Sequence, residues 1–347
     1  MQGTEARDAI AAGLAGRLAG GPVAFSAVEI IERDRAQPGR RKVRLASFAE
    51  ARDIGDSEIA RRLAVLSAGP APMAGLDFSR PLVMGIVNVT PDSFSDGNLY
   101  ARHDAAIAHG LELVREGADI LDIGGESTRP GAEDVAPEVE AERVAPVIAA
   151  WKDAGVPISI DTRKAPVMRS ALAAGAAIVN DVSALEFDRD ATDVVRDAGV
   201  PVILMHSQGT PKVMQQDPHY EDASLDIFDY LENRIVEVVR SGIARENIIA
   251  DPGIGFGKTV EHNLQLIRDL SLFHGLGVPV LLGASRKAFI GHITGEPEAR
   301  RRVAGSVQVA MMGIAQGVQI VRVHDVQYTV QSIAVWRRVN GINCSAT

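Results

Sequence analysis

Along most of the chain, short apolar runs rich in Val, Ile and Leu alternate with longer stretches whose apolar positions return every three or four residues. The short runs fall at 82–87, 118–123, 157–160, 177–179, 201–205, 247–250, 279–282 and 318–323. They lack the apolar–polar alternation of a strand with one face in water, so they predict strands covered on both faces, as in a parallel sheet. The stretches between them, such as 104–116, 137–154, 222–241 and 260–274, have helical periodicity. Gly or Pro marks the joins: Gly117, Gly175, Gly199 with Pro201, Gly277 with Pro279, and Gly317. A Gly just past a helix suits its C-cap, and a Pro opening a strand removes no internal ladder bond.

Eight such units in about 260 residues match the ~250 residues of a closed barrel. The pattern therefore predicts an α/β chain with a (β/α)8 TIM barrel over residues 79–340. An open doubly wound sheet is the competing arrangement, because periodicity does not show closure. Residues 1–78 break the pattern and predict a small α+β appendage. Runs 23–33 and 42–48 form a hairpin around polar 34–41, a helix covers 56–66, a weaker helix lies within 6–20, and 67–74 is a linker. A segment this short buries little core alone, so it is expected to lean on the barrel or on a second subunit. It carries none of the candidate chemistry below.

Composition changes the picture mainly by exclusion. Hydrophobic residues make up 46% and charged residues 23%, which excludes a disordered chain. A formal net charge of −9 leaves no basic face for nucleic acid. The single cysteine, Cys344, cannot form an intrachain disulfide and suits a reducing compartment. Glu5 and Asp8 precede any apolar run, so no signal peptide is read, and no run nears the ~18 residues of a membrane span. A cytoplasmic protein with no membrane or nucleic-acid partner is expected.

Barrel enzymes build their sites where the strands end. The residues there are Asn88, Asp122, Asp161, Asn180 with Asp181, His206, Asp251, Ser285, and Arg322 with His324. Each follows an apolar run and each is polar. Turn preference accounts for some of the Asp and Asn, but not for the whole set with Arg and His. Asp161, Asn180 and Asp251 offer acceptors and an amide, suited to a ring with amino, amide and N–H edges. Arg129, Lys287, Arg322 and His324 offer positive charge and donors, suited to phosphate. A phosphorylated heterocycle fits both halves.

Asn88 opens a loop crowded with turn formers, 88–97, that also contains an apolar Phe94, and its amide oxygen suits a hard ion such as Mg²⁺. The segment 251–259 nearly fits a phosphate-binding Walker loop, but Pro252 stands where the first Gly belongs. Its glycines also miss the dinucleotide spacing. It reads as a flexible wall, with Asp251 inside and Lys258 on a solvated lid. The histidines show no metal-ligand spacing, so no zinc site is expected.

Taken together, Gly85-Ile86-Val87-Asn88-Val89-Thr90-Pro91-Asp92-Ser93-Phe94-Ser95-Asp96-Gly97, Asp122-Ile123-Gly124-Gly125-Glu126-Ser127-Thr128-Arg129-Pro130-Gly131, Ser159-Ile160-Asp161-Thr162, Val179-Asn180-Asp181, Leu204-Met205-His206, the 251–258 segment, Ser285-Arg286-Lys287 and Arg322-Val323-His324-Asp325 resemble the dihydropteroate synthases. The match runs in order from about Pro81 to Arg338. Ser207 departs from the Met that often follows Leu-Met-His in that family, and the first ~80 residues lie outside its core.

The resemblance implies a transferase of folate biosynthesis, in a family that sulfonamides target. It would condense (7,8-dihydropterin-6-yl)methyl diphosphate with 4-aminobenzoate to give 7,8-dihydropteroate and diphosphate. It implies Mg²⁺ at Asn88, the pterin held by Asp161, Asn180 and Asp251 beside Met205 and Phe256, and the diphosphate held by Arg322 and His324. It places Thr128, Arg129, Pro130 and Ser285 on the p-aminobenzoate side, with Lys287 between the two substrates. Asp161, Lys287, Arg322 and His324 are the expected catalytic residues, and a homodimer is the expected assembly. A pterin-binding methyltransferase would share the ring clamp but have little use for the Ser-Thr-Arg-Pro, Ser-Arg-Lys and Arg-Val-His motifs. A catalytically silent pterin-binding regulator would not need the anion-site residues.

Overall fold

In the computed structural model, eight parallel strands form one sheet that curls into a barrel. The structure describes residues 1–342 apart from 35, 38, 91–98, 128–132 and 210–213. We number the barrel strands β1 (Leu82–Asn88), β2 (Ile120–Gly124), β3 (Ile158–Asp161), β4 (Ile178–Asp181), β5 (Val202–Met205), β6 (Ile248–Asp251), β7 (Leu281–Leu282) and β8 (Ile320–Val323). Neighbours in sequence are neighbours in the sheet, and β8 pairs with β1. The seam between β6 and β7 is closed by one parallel bridge, Ala250 to Val280, with Ala250 N–H donating to Pro279 O at 2.9 Å. Closure decides for the barrel over the open sheet.

The strands begin and end within a few residues of the predicted runs. The largest differences are at β7, which keeps only Leu281–Leu282 in the ladder, and in the stretch 260–274. That stretch is an α-helix, Val260–Arg268, followed by a 3-10 segment, Leu270–Leu276. Asp269, at the break, accepts from Arg41 and Ser224.

Because side chains alternate along a strand, one face of each strand looks into the barrel. The lower interior layer is apolar: Leu82, Met84, Ile120, Ile178, Ile203, Ile249, Leu281 and Ile320 form one buried cluster. Two residues further along, the same face carries Asp122, Asn180, Met205, Asp251 and Arg322. Along β2, β4, β6 and β8 a two-residue step is thus a step from oily floor to polar mouth. The outward face packs against the surrounding helices in a second, larger cluster that includes Leu121, Val179, Leu204 and Val321.

The floor is closed from below by Met73, Leu76 and Phe78, which are buried against the lower layer. Met73, within the expected linker, and Leu76 and Phe78, at the end of the expected appendage, are therefore barrel core. The appendage contains the helix Gly3–Ala11, a hairpin of Ala27–Arg33 and Arg41–Ser47, and helices Phe48–Asp53 and Ser57–Ser67. Of the two supports considered, the barrel provides one. Arg33 pairs with Asp226 and Asp229 at 2.8 and 2.7 Å. Arg41 pairs with Asp222 and, at 2.7 Å, with Asp269, while Arg62 pairs with Glu232. Among the described residues no helix is long and apolar enough to cross a membrane.

Arg41 is 19% exposed and holds two carboxylates at the barrel flank. Arg41→Ala leaves both without their cation and should lower stability by about 2–3 kcal/mol, read as a fall in Tm, with kcat unchanged.

Candidate active site

The mouth is organised by one guanidinium. Arg322, the third residue of β8, donates from Nε to Asp122 Oδ2 at 2.6 Å and from Nη2 to Asp161 Oδ2 at 2.7 Å, across the barrel interior. Asn180 Nδ2 donates to the same Asp122 oxygen at 3.2 Å. Asp122 has no exposed surface and Asp161 very little. Their other oxygens, Oδ1 of each, are buried without a partner among the described residues. Burial pushes the Asp161 carboxyl up to about 7, with Arg322 pulling it down and Asp122 pushing it further up. The wall therefore presents acceptors still in want of donors, as a ring with N–H edges would supply.

Asp251 closes β6. Its Oδ1 accepts from Gly253 N–H at 2.7 Å, and burial raises its carboxyl above the usual range. Gly253 has φ +68°, and a Cβ there would lie 1.9 Å from His206 O, so only glycine lets the chain turn here. Lys287 donates to Ile254 O and places its ammonium 4.1 Å above the Phe256 ring, a cation–π contact that fixes both. Burial pushes the Lys287 amine down to about 7, against the pull of Asp251 and Asp161. Met205 is buried at the end of β5.

Ser285 and His324 meet: Ser285 Oγ lies 3.0 Å from His324 Nδ1 and accepts from His324 N–H at 3.2 Å. The residue between Ser285 and Lys287 is strained. Arg286 has φ +59°, unusual for a side-chain-bearing residue, and is held by a two-point ion pair to Asp325 at 3.0 and 2.6 Å. That ion pair pins the turn from which Ser285 and Lys287 extend.

Of the predicted site residues, Asn88, Asp161, Asn180, Met205, Asp251, Phe256, Ser285, Lys287, Arg322 and His324 all belong to the strand ends and loops of this mouth. Thr128, Arg129, Pro130 and Phe94 lie outside the described residues. Lys258 overturns its expectation. It is 3% exposed, with Nζ 2.9 Å from His206 Nδ1 and donating to Phe256 O at 2.9 Å. Burial, then the neighbouring Lys287 charge, pushes its amine well below the usual lysine range. It supports the Phe256 wall from behind. Asp122, read as a strand-end residue without a role, proves central, and its signal was a carboxylate inside the apolar run Ile-Leu-Asp-Ile.

Asn88 is the last residue of β1, with Oδ1 3.8 Å from where a Cβ on Gly124 would sit. Gly124 thus keeps the space beside that amide oxygen open. No group of three or more His, Cys, Asp or Glu among the described residues could hold a metal ion. An ion here would take one protein oxygen and fill its shell from water and substrate phosphate, which fits the habit of Mg²⁺.

A closed parallel barrel whose mouth pairs a carboxylate–amide wall with Lys, Arg and His defines an enzyme for an anionic heterocycle. The profile described as "Pterin binding enzyme" matches residues 84–324. Dihydropteroate synthase of Neisseria meningitidis serogroup B is 50% identical over 274 residues, covering 78% of this chain and 95% of that protein. The Escherichia coli K12 enzyme of the same name is 43% identical over 261 residues, 75% of this chain and 92% of its own. The Xanthomonas albilineans dihydropteroate synthase solved with 4-aminobenzoic acid superposes with a TM-score of 0.73 at 48% identity, covering 78% of this chain and 98% of that one. The Yersinia pestis enzyme in complex with a sulfonamide drug gives 0.74 at 43%, over the same shares of the two chains. The chain belongs to the dihydropteroate synthases of the pterin-binding enzyme family, transferases of folate biosynthesis.

Arg322→Ala tests the electrostatics of the wall. Without the guanidinium, Asp161 would hold its proton to still higher pH in the folded state. A folded pKa raised above the unfolded one makes stability fall as pH rises between the two values. The Tm deficit of the variant against the parent should therefore grow from pH 5 to pH 8, and a deficit that shrinks would contradict the assignment.

Proposed function

We propose that this mouth condenses (7,8-dihydropterin-6-yl)methyl diphosphate with 4-aminobenzoate, with the residue roles that follow. The supporting observation is the Arg322–Asp122–Asp161 network with its two unmet buried acceptors. Asp161, Asn180 and Asp251 hold the pterin edge, with Met205 and Phe256 packing on its faces. Arg322, whose Nη1 is engaged in neither carboxylate bond, and His324, oriented by Ser285, face the diphosphate. Lys287 lies between the substrates, and Thr128, Arg129 and Pro130 with Ser285 complete the p-aminobenzoate side.

Asn88 would hold Mg²⁺, which when bound supplies positive charge to the departing diphosphate. The bond that breaks joins the pterin methylene carbon to the diphosphate oxygen, and its electron pair leaves with diphosphate. The methylene carbon is then cationic in conjugation with the pterin, and ionised Asp161 stabilises it in a site of low polarity. The amine lone pair of p-aminobenzoate forms the C–N bond, and the proton released from nitrogen passes to solvent or diphosphate. An aromatic amine is already nucleophilic near neutral pH, so no strong base is needed.

The proposed assembly is a homodimer, supported by exposed Tyr328, Val335 and Val339 on one face of the helix Val326–Val339. Sedimentation of Val335→Glu as a monomer beside a dimeric parent would test it.

Lys287→Ala and Arg322→Ala should each lower kcat/KM by ~10²-fold or more, as expected for charged contacts in a partly desolvated site. The pH profile is the sharper measurement. Activity needs Asp161 ionised and Lys287 protonated, and both sit at about 7 in the free enzyme. A plot of kcat/KM should rise as Asp161 loses its proton and fall as Lys287 loses its own, giving a narrow maximum near neutrality. Asp161→Asn should lose activity and the acid limb together, whereas Lys287→Arg should remove the alkaline limb. An unchanged profile in both variants would defeat the role assignment.

Substrate order is a separate expectation. The pterin and anion contacts are assigned to strand ends, while the sequence puts much of the amine side, Thr128, Arg129 and Pro130, beyond a strand end, so C–O cleavage should precede amine attack. Calorimetry should find p-aminobenzoate analogues binding far more tightly with Mg²⁺ and pterin plus diphosphate present than to the free enzyme. Equal affinity would defeat the ordered scheme.

A further inference from the structure

Beyond Asp161, the chain turns away from the mouth and into the flank of the loop that follows β2. Thr162 Oγ1 donates to Glu140 Oε1 at 2.6 Å. Lys164 Nζ donates to three acceptors: Glu126 Oε1 at 2.7 Å, Val135 O at 2.6 Å and Glu140 Oε2 at 2.7 Å. Arg163 reaches Glu126 Oε2 at 3.3 Å and Asp134 Oδ1 at 2.7 Å. Val135 N–H donates to Glu126 Oε1 at 2.9 Å. Lys164 is 7% exposed and Glu140 has no exposed surface.

The outgoing flank of the loop, at Glu126, and the returning flank, at Asp134 and Val135, are therefore tied to each other and to residues 162–164. Glu140 belongs to the helix Pro137–Ala150, so the knot is anchored on a packed element rather than on the loop itself. A buried ionic knot is a poor way to gain stability, because an apolar replacement of equal volume often does as well. Its strength is directional: a lysine ammonium between three fixed oxygens permits one arrangement of the chain that carries them. Two cations meet two buried carboxylates, Glu126 and Glu140, with Asp134 as a third on the exposed side.

We propose that Lys164 and Arg163 are positioning residues for the amine substrate. They hold both ends of the loop between Glu126 and Asp134 at a fixed spacing from the strand that carries Asp161. This rests on the assignment of Thr128, Arg129 and Pro130 to the p-aminobenzoate side. The pterin wall and the amine side are then two ends of one stretch: Asp161 works at the mouth, and the residues just after it set the loop. Neither residue touches substrate; they act through the loop's attachment points.

The test uses the full-length enzyme. Lys164→Met alone leaves Glu140 buried without its cation and risks unfolding, so it is made together with Glu140→Gln, which retains an acceptor for Thr162. Arg163→Gln is the milder partner, because it leaves the Lys164 ties in place and loosens those to Glu126 and the exposed Asp134, with the contact to the Phe187 ring. Steady-state kinetics give kcat and both KM values, and calorimetry gives the Kd of the pterin diphosphate. Thr128→Ala is measured beside them as the check on the loop's assignment.

A loop displaced by a fraction of an ångström should raise the KM for p-aminobenzoate about tenfold in the double variant, with the pterin diphosphate Kd held within about twofold. Arg163→Gln should move the same constant in the same direction by less. If Thr128→Ala raises that KM and neither clamp variant does, the clamp is refuted while the loop's assignment stands. If Thr128→Ala also leaves it unmoved, the assignment falls and takes the proposal with it. Equal weakening of both substrates would mark general loosening and overturn the positioning role. Should the double variant fail to fold, Arg163→Gln decides alone.

Discussion

A closed barrel forces its interior residues to face one another, and in this chain the upper interior layer holds several carboxylates. Arg322 makes that layer tolerable. By donating to Asp122 and Asp161 at once, it neutralises two acids that would otherwise repel across the lumen. Other contacts at the mouth follow from that pairing. Asn180 is oriented by Asp122, and the oxygens that Arg322 leaves alone stay buried without a partner among the described residues. The same guanidinium that balances these acids is proposed to face the diphosphate. A cation with both tasks would couple the stability of the enzyme to its chemistry: burial raises the Asp161 carboxyl, and Arg322 holds that rise back.

Much of this was legible in the residues. The apolar runs located every barrel strand because strands covered on both faces need uninterrupted Val, Ile and Leu. The strand-end residues were legible for the opposite reason: a polar residue directly after such a run stands where the covering stops. Lys258 was not legible. A lysine among glycines reads as a lid residue, but three glycines with positive φ, Gly253, Gly255 and Gly257, fold that segment back so that its lysine turns inward against His206. Such a reversal depends on contacts between loops, which periodicity does not encode.

Asp122 was half legible. Its position within an apolar run was visible, yet its importance depends on Arg322, 200 residues away in the chain. The clamp at Lys164 was hidden for the same reason. Lys164, Glu126 and Glu140 look like surface charges when read singly, and only the meeting of the segments after β2 and β3, with the helix Pro137–Ala150, buries them together. Local pattern reports which residues are covered by their own element; it is silent on charges that are covered by someone else's.

The appendage has a consequence for the order in which the molecule comes together. Arg41 finds its two carboxylates 181 and 228 positions further along the chain. During synthesis from the N-terminus, the hairpin leaves the ribosome early, but it cannot dock until residue 269 has followed. One face of the hairpin is covered by the appendage's own Ala51, Leu63 and Phe48, while Val43 and Leu45 remain 52% and 72% exposed even in the finished fold. Contacts this distant in sequence are slow to form, and unpaired strand edges are open to wrong partners while they wait. A segment made before the barrel is thus set in place only after most of it, and the waiting time grows with the length of chain between Arg41 and its partners.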